Sequence, residues 1–244
     1  MNGPRRRTGL FLILAALTAT LFVRLGFWQL ARHSERAQRN AAIQSNLARP
    51  QLLLPEQGPI TEEYSYRRVR ATGTFDPSNQ ILLMNRAYQE RPGYHLVTPL
   101  LQEGNSTAVL VDRGWIPQED GTAERLQNYR LDETVSLSGL LLPSQQEPSW
   151  SLLADPTPAP GARRLAWRAL SIPTIQQQLP YGLAVLYIEQ AEPLAGPGSA
   201  PIPAPELEVS PGPHLGYAIQ WFAFAAIAVG GTLLWVRRRA ASRA

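Results

Sequence analysis

The stretch His214–Val236, HLGYAIQWFAFAAIAVGGTLLWV, contains no Asp, Glu, Lys or Arg. An α-helix of about 20 apolar residues is long enough to cross a hydrocarbon layer roughly 30 Å thick. Arg237, Arg238 and Arg239 follow directly, and such basic residues mark the cytoplasmic end of a membrane span. The sequence therefore predicts a transmembrane helix whose first residue, His214, lies at the extracytoplasmic surface.

A second apolar segment lies near the N-terminus. Gly9–Val23 is uncharged, Arg5–Arg7 precede it, and the apolar pattern resumes after Arg24 and continues to Leu30. A secretory signal peptide also has a basic start and a short apolar core. However, no clean A-x-A cleavage motif ends this core, and the complete segment is long enough to span a membrane. We therefore predict a retained transmembrane helix.

Two spans put both termini on one side, and the arginine clusters outside them place that side in the cytoplasm. Arg32, Arg36 and Arg39 oppose this orientation, but long loops translocate largely regardless of their charge. The segment before the first span is too short to be a mitochondrial transit peptide, so the predicted location is the cell inner (plasma) membrane. The predicted segments are a cytoplasmic N-terminus (1–8), helix one (9–31), an extracytoplasmic domain (32–213), helix two (214–236) and a basic cytoplasmic tail (237–244).

The composition limits the classes of function. The net charge of +4 comes largely from arginines beside the spans. Such charges indicate contact with the lipid membrane and not with nucleic acid, because no basic and aromatic groove pattern accompanies them. Cysteine is absent, which excludes a disulfide framework and the thiolate ligands expected of a copper carrier.

Between the spans the pattern changes to short strands with turn sequences. The predicted strands are Tyr66–Phe75, Gln80–Asn85, Tyr94–Leu101, Ala108–Ile116, Thr134–Leu142 and Gly182–Glu189. The first two are expected to form one hairpin across Asp76–Asn79, and the next two a second hairpin. Regular strand–helix–strand alternation is absent, so the sheet should be mostly antiparallel and the domain a β-rich α+β fold.

Helices and loops complete the expected domain. The first helix should continue from the membrane to Asn46, and short helices are predicted at Thr122–Tyr129 and Ile172–Leu179. Two proline-rich stretches predict irregular structure: a surface loop at Pro143–Gly161 and an extended, semi-rigid stalk at Glu192–Pro213.

His214 is the leading candidate for a functional residue. A neutral imidazole can ligate a metal or haem iron, and an ionisable group at membrane depth indicates function. With about 100° per helical residue, Tyr217 and Trp221 share one broad face with His214 and could accommodate a flat macrocycle. Ordinary helix packing through two small-residue pairs, Ala226 with Gly230 and Ala15 with Ala19, is the alternative. Arg24, at comparable depth in the first span, would pair with a haem propionate or a lipid phosphate.

Five short motifs occur in a fixed order along the chain. They are LGFWQLAR at 25–32, GTFD at 73–76, GYHLVTP at 93–99, VLVDRGWIP at 109–117 and HLGYAIQWF at 214–222. Together, within a two-span frame that covers nearly the whole chain, they resemble the Surfeit locus protein family of cytochrome c oxidase assembly factors. The chain departs from the family pattern at Gly212-Pro213, where an Asn is expected nearby.

The resemblance implies a membrane-anchored assembly factor for a haem-copper terminal oxidase. Such a protein would bind haem A transiently and aid its insertion into the catalytic subunit of cytochrome c oxidase, with haem A synthase as a second candidate partner. Only His214 transfers by motif as the ligand of the haem iron. Tyr217, Trp221 and Arg24 complete the predicted cofactor-binding set on geometric grounds.

Two other classes of function compete with a haem carrier. A pure scaffold would hold an oxidase assembly intermediate through its helices and domain without touching haem, and it would not need His214. A membrane-anchored extracytoplasmic enzyme would need a clustered acid, base or nucleophile. His95, Ser106 and Asp112 are the residue types of a hydrolase triad, but no nucleophile motif surrounds any serine. We therefore predict no enzymatic activity.

Overall fold

The computed structural model describes residues 3–54, 58–146, 163–194, 196 and 199–242. The chain divides into two compact units. One consists of Met1–Gln44 and Glu208–Ala244, and the other of Ser45–Leu207. The helices are α1 (Gly3–Leu47), α2 (Ile172–Ile175) and α3 (His214–Ala241). Short 3-10 turns at Glu62–Tyr64, Pro77–Asn79, Gln118–Asp120, Arg125–Tyr129 and Gln176–Gln178 supplement them.

The terminal unit is built from α1 and α3, and both helices are long and apolar enough to cross a membrane. Their large apolar side chains are mostly exposed, as expected for helices surrounded by lipid. The helices pack antiparallel, because Phe11 near the start of α1 contacts Trp235 near the end of α3, with ring centroids 4.6 Å apart. Phe27 meets Phe222 at 5.3 Å toward the other end.

Small residues allow this close packing. A Cβ atom added at Gly26 would lie 2.7 Å from the Phe222 ring, so only glycine fits there without a shift. On α3 the buried residues are Ala218 and Ala225. The predicted packing through Ala226 and Gly230 is wrong, because Ala226 is exposed. A Cβ at Gly230 would meet no described atom within 4 Å. Ala225, one residue before Ala226, is buried instead.

The described residues of the middle unit form a nine-stranded sheet that closes on itself. In chain order its strands are β1 (Leu52–Leu54), β2 (Arg68–Phe75), β3 (Ile81–Tyr88), β4 (Arg91–Leu101), β5 (Thr107–Pro117), β6 (Thr134–Pro143), β7 (Ala166–Trp167), β8 (Gly182–Leu183) and β9 (Leu186–Gln190). The order is β1-β2-β6-β9-β5-β4-β3-β7, and β2 also pairs with β4. Strands β2, β6, β9, β5 and β4 therefore form a closed ring.

The core explains why β5 is largely apolar, with Asp112 and Arg113 as its buried charged residues. Inside the ring, side chains such as Val69, Leu100 and Ile188 form one buried cluster. A second buried cluster contains Leu110 of β5 together with Trp167 and Ile175. Nine consecutive residues of β5 are buried, and a strand covered on both faces reads as a continuous apolar run.

Most predicted elements are confirmed, but one strand pairing is wrong. Strands β4 and β5 form the expected antiparallel hairpin. By contrast, β2 and β3 do not form the other one, since β4 lies between them and pairs with both. The reason is local: Pro77–Asn79 forms a 3-10 turn capped by the Asp76 carboxylate, which accepts a hydrogen bond from Ser78 N. After this turn, β3 pairs with β4 and not with β2.

The remaining predictions differ in smaller ways. Helix α1 continues beyond Asn46 as expected, and the predicted segment Thr122–Tyr129 is a 3-10 turn over its second half. The strand expected at Gly182–Glu189 is divided into β8 and β9. The longest ladders are antiparallel, whereas β5 pairs in parallel with both β8 and β9. Most of the predicted loop Pro143–Gly161 lies outside the described residues.

Candidate functional site

His214 is the first residue of α3 and directly follows Pro213. Its Nδ1 lies 2.8 Å from the side-chain oxygen Oε1 of Gln29 in α1. An amide oxygen can only accept a hydrogen bond, so Nδ1 carries the hydrogen in this arrangement. Nε2 then holds the lone pair, and it makes no hydrogen bond to any described residue. This is the nitrogen that can ligate iron.

Gly212 keeps the space beside Nε2 open. Its φ of +71° lies in the left-handed region that favours glycine. A Cβ atom at this position would lie 3.7 Å from His214 Nε2 and 3.1 Å from Nη1 of Arg36. A side chain here would therefore touch the nitrogen available for iron. The Gly212-Pro213 departure seen in the sequence thus places no side chain between His214 Nε2 and Arg36.

One face of α1 supplies polar groups to this end of the helix pair. Gln29, His33 and Arg36 are spaced so that they share a face of a helix. Gln29 binds His214, and Arg36 flanks Gly212. The Nδ1 atom of His33 is buried and has no hydrogen-bond partner among the described residues. Guanidinium and neutral polar groups beside an open histidine suit a ligand with an anionic edge.

Neither Gln29 nor Arg36 is among the binding residues predicted from the sequence. Gln29 belongs to the motif at 25–32, where it is a polar residue just inside the end of an apolar run. Its helical spacing to His33 and Arg36 was a usable signal for one polar face. Its contact with His214, however, joins residues 185 positions apart, and no local pattern indicates such a pair.

The other predicted cofactor-binding residues lie in different surroundings. Tyr217 is 49% exposed. Trp221 packs between the helices, with its ring 5.5 Å from Phe22. Arg24 is exposed and forms no hydrogen bond or ion pair within the described part of the chain. The structure therefore brings Gln29 and Arg36 toward His214, while the roles of Tyr217, Trp221 and Arg24 remain predictions.

A second group of titratable residues lies in the β-ring. His95 Nδ1 is 2.9 Å from Asp112 Oδ2, and Glu189 is the register partner of Asp112 across β5 and β9. Burial raises the pKa of Glu189, the Asp112 charge raises it further, and His95 partly opposes them. No group of three or more potential metal ligands occurs among the described residues.

The hydrolase triad considered from the sequence is not assembled. His95 and Asp112 are in contact, but Ser106 precedes β5 and lies six residues before Asp112. A strand advances by about 3.3 Å per residue, so the hydroxyl is roughly 20 Å from the carboxylate. The His95–Asp112 pair has an ordinary structural explanation, since the other oxygen of Asp112 accepts a hydrogen bond from Gly114 N at 3.0 Å.

Residues of the motif at 109–117 also stabilise the middle unit. Arg113 is buried, its guanidinium lies 4.8 Å from the centre of the Phe75 ring, and it donates to the Tyr129 carbonyl oxygen at 2.8 Å. Burial lowers the pKa of Arg113 to about 10. The backbone of Trp115 exchanges two hydrogen bonds with Ile202. These contacts join strands and loops of the middle unit and leave the α1–α3 pair as the candidate binding site.

The chain is similar to known proteins over most of its length. The model of the SURF1 family matches residues 16–226. A SURF1-like protein of Rickettsia felis is 29% identical over 218 residues, which cover 87% of this chain and 91% of the relative. An uncharacterized SURF1-like protein of Mycobacterium bovis is 30% identical over 226 residues, covering 90% of this chain and 79% of the relative. The matched region includes both Gln29 and His214.

Proposed function

The chain belongs to the SURF1 family, and from this premise we propose that it binds haem A transiently and aids its insertion into a haem-copper terminal oxidase. Family membership implies a role in cytochrome oxidase assembly. The two apolar helices fit a membrane protein. The delivery of haem A, and His214 as the ligand of its iron, are the more specific parts of the proposal.

The observation that carries the proposal is the hydrogen bonding of the two ring nitrogens of His214. Its Nδ1 is occupied by Gln29, and Nε2 has no protein partner among the described residues. Gly212 adds no side chain beside that nitrogen. Haem A, the cargo, would bring an iron atom that accepts a neutral imidazole and two propionates that require cationic or polar partners. Tyr217 and Trp221 would contribute aromatic surface near the macrocycle.

The proposed partners follow from membership and from the membrane setting. The receiver of haem is the catalytic subunit of cytochrome c oxidase, and haem A synthase is the second candidate partner. Both spans would lie in the cell inner (plasma) membrane, with the middle unit on the extracytoplasmic side. A lipid-embedded site suits this cargo, because haem is largely apolar and would otherwise cross water between two membrane proteins.

A scaffold without haem is the second candidate function. The aromatic contacts between α1 and α3 would give such a protein a rigid helical pair for holding an oxidase subunit. That role needs the helix packing but not the free nitrogen of His214. The presence or absence of haem in a variant lacking the imidazole therefore separates the two functions.

The experiment compares haem content in purified full-length variants. Each is produced in a host that makes haem A, extracted in detergent and measured as Soret absorbance per protein. We expect His214→Ala to lose most of the bound haem while it accumulates at the wild-type level, because the axial bond is removed. His95→Gln, which alters a histidine of the middle unit, is the control and should retain it. Full haem content in His214→Ala would remove the ligand role and favour the scaffold.

A further inference from the structure

We propose that Gln29 is a positioning residue for His214. Its amide oxygen accepts the Nδ1 hydrogen and so fixes the imidazole in the tautomer that presents the Nε2 lone pair. The value of this tautomer for haem rests on the proposed function. The hydrogen bond and the tautomer themselves belong to the protein without haem and are testable there.

The surroundings of the Gln29–His214 hydrogen bond make it stronger than a hydrogen bond on the protein surface would be. Both side chains are half-buried, and Gln29 lies about one turn of α1 after Gly26, which packs against Phe222. Low polarity around a hydrogen bond strengthens it and makes an unpaired partner costly. Because α1 and α3 are held together at this point, the oxygen of Gln29 is already in place before any ligand arrives.

The tautomer matters because only one imidazole nitrogen can face the ligand. A neutral histidine has one N–H and one lone pair, and an isolated imidazole side chain favours the hydrogen on Nε2. That form would present a hydrogen, not a lone pair, to an incoming iron. An acceptor at Nδ1 reverses the preference and also makes the ring a stronger donor to the metal. Loss of such a partner typically reduces metal affinity by about 10–100-fold.

Three substitutions separate positioning from simple helix packing. Gln29→Leu keeps much of the side-chain volume but removes the acceptor. Gln29→Glu keeps an acceptor and adds negative charge. Gln220→Leu makes the same change as the first variant at an exposed glutamine of α3, and it serves as the control. If Gln29 only packs the helices together, Leu should serve at least as well as Glu.

The first measurement uses full-length protein without haem, labelled with ¹⁵N in its histidine rings and dissolved in detergent. Nitrogen–hydrogen correlation spectra at mildly alkaline pH report which ring nitrogen carries the hydrogen, and the His214 signals are those lost in His214→Ala. We expect the Nδ1–H form in wild type, Gln220→Leu and Gln29→Glu, and mainly the Nε2–H form in Gln29→Leu. An Nε2–H form in the wild-type protein would overturn the proposal.

The second measurement titrates haem A into the same proteins. Gln29→Leu should bind about 10–100-fold more weakly, whereas Gln29→Glu should restore most of the affinity and lower the midpoint potential of the bound haem. Unchanged affinity and potential in Gln29→Leu would overturn the positioning role. If His214→Ala binds haem as tightly as the wild-type protein, the proposed ligand is wrong. An Nδ1–H tautomer in the wild-type protein would then show that the Gln29 hydrogen bond is only a contact between the helices.

Discussion

The environment of Glu189 disfavours the ionised form of its carboxyl group. It is largely removed from solvent and lies opposite Asp112 in the ladder between β5 and β9. Burial, followed by the Asp112 charge, raises the pKa of Glu189 above that of an exposed glutamate. The ionised form therefore weakens the fold at every pH above the raised pKa. The cost disappears as pH falls through that value toward the ordinary one.

Glu189→Gln should consequently raise the melting temperature of the full-length protein in detergent at neutral pH, by about 2 °C. The gain should shrink as the pH is lowered, because the wild-type carboxyl becomes protonated and loses its charge as well. Glu103→Gln, at an exposed position, is the control and should change little at either pH. A gain from Glu189→Gln that does not depend on pH would refute the electrostatic explanation.

Arg24 is predicted from the sequence to pair with a haem propionate, and the structure adds Arg36 as a second candidate, with unequal expected effects. Arg36 flanks the same glycine as His214 Nε2. Arg24 is exposed and unpaired in the described structure. We expect Arg36→Gln to weaken haem binding about tenfold, since a charge-assisted bond is lost, and Arg24→Gln to weaken it less. Titration of haem into both variants measures this. A larger loss from Arg24→Gln would restore it as the principal propionate partner.

Gly26 controls how closely α1 and α3 approach each other. Because its Cβ would meet the Phe222 ring, Gly26→Leu should separate the helices locally. The chain has no cysteine, so a pair introduced at Phe22 and Trp221, whose rings lie 5.5 Å apart one turn from Gly26, can report packing by cross-linking with a short bis-maleimide. We expect efficient cross-linking in the parent background and clearly less with Gly26→Leu.

The matched control for this substitution is Gly230→Leu. A Cβ there would meet no described atom within 4 Å, so added bulk should leave cross-linking unchanged. Equal cross-linking in both leucine variants would show that the contact at Gly26 does not limit helix approach.

The elements that could be predicted from the sequence are those specified by local patterns. The two apolar helices follow from uninterrupted runs without charge, and the β4–β5 hairpin follows from two strands joined by a Gly-Asn-Ser turn. The pairing of β2 could not be found in this way, because its principal partner β6 lies far along the chain. His214 can be predicted as a candidate from its position at a helix start, but Gln29 is found only through a contact between distant residues.

The orientation of the whole molecule is a separate prediction. From the arginine clusters at both ends we predict cytoplasmic termini and an extracytoplasmic middle unit. A periplasmic reporter such as alkaline phosphatase, inserted in the β4–β5 turn near Asn105, should therefore be active, whereas a fusion after Arg239 should be inactive. The reverse pattern, or an N-terminus that begins after Ala19 in the mature protein, would contradict the two-span arrangement.

The closed ring of the middle unit has a kinetic consequence. Strand β9 lies between β6 and β5, so the ring stays open until residues 186–190 have been made and have docked. Contacts between residues far apart in sequence slow folding, because the intervening chain must be ordered first. Until then β5 and β6 each present an unpaired edge, and such edges promote aggregation. A nascent chain halted before β9 should therefore depend on chaperones, however well its earlier hairpin has formed.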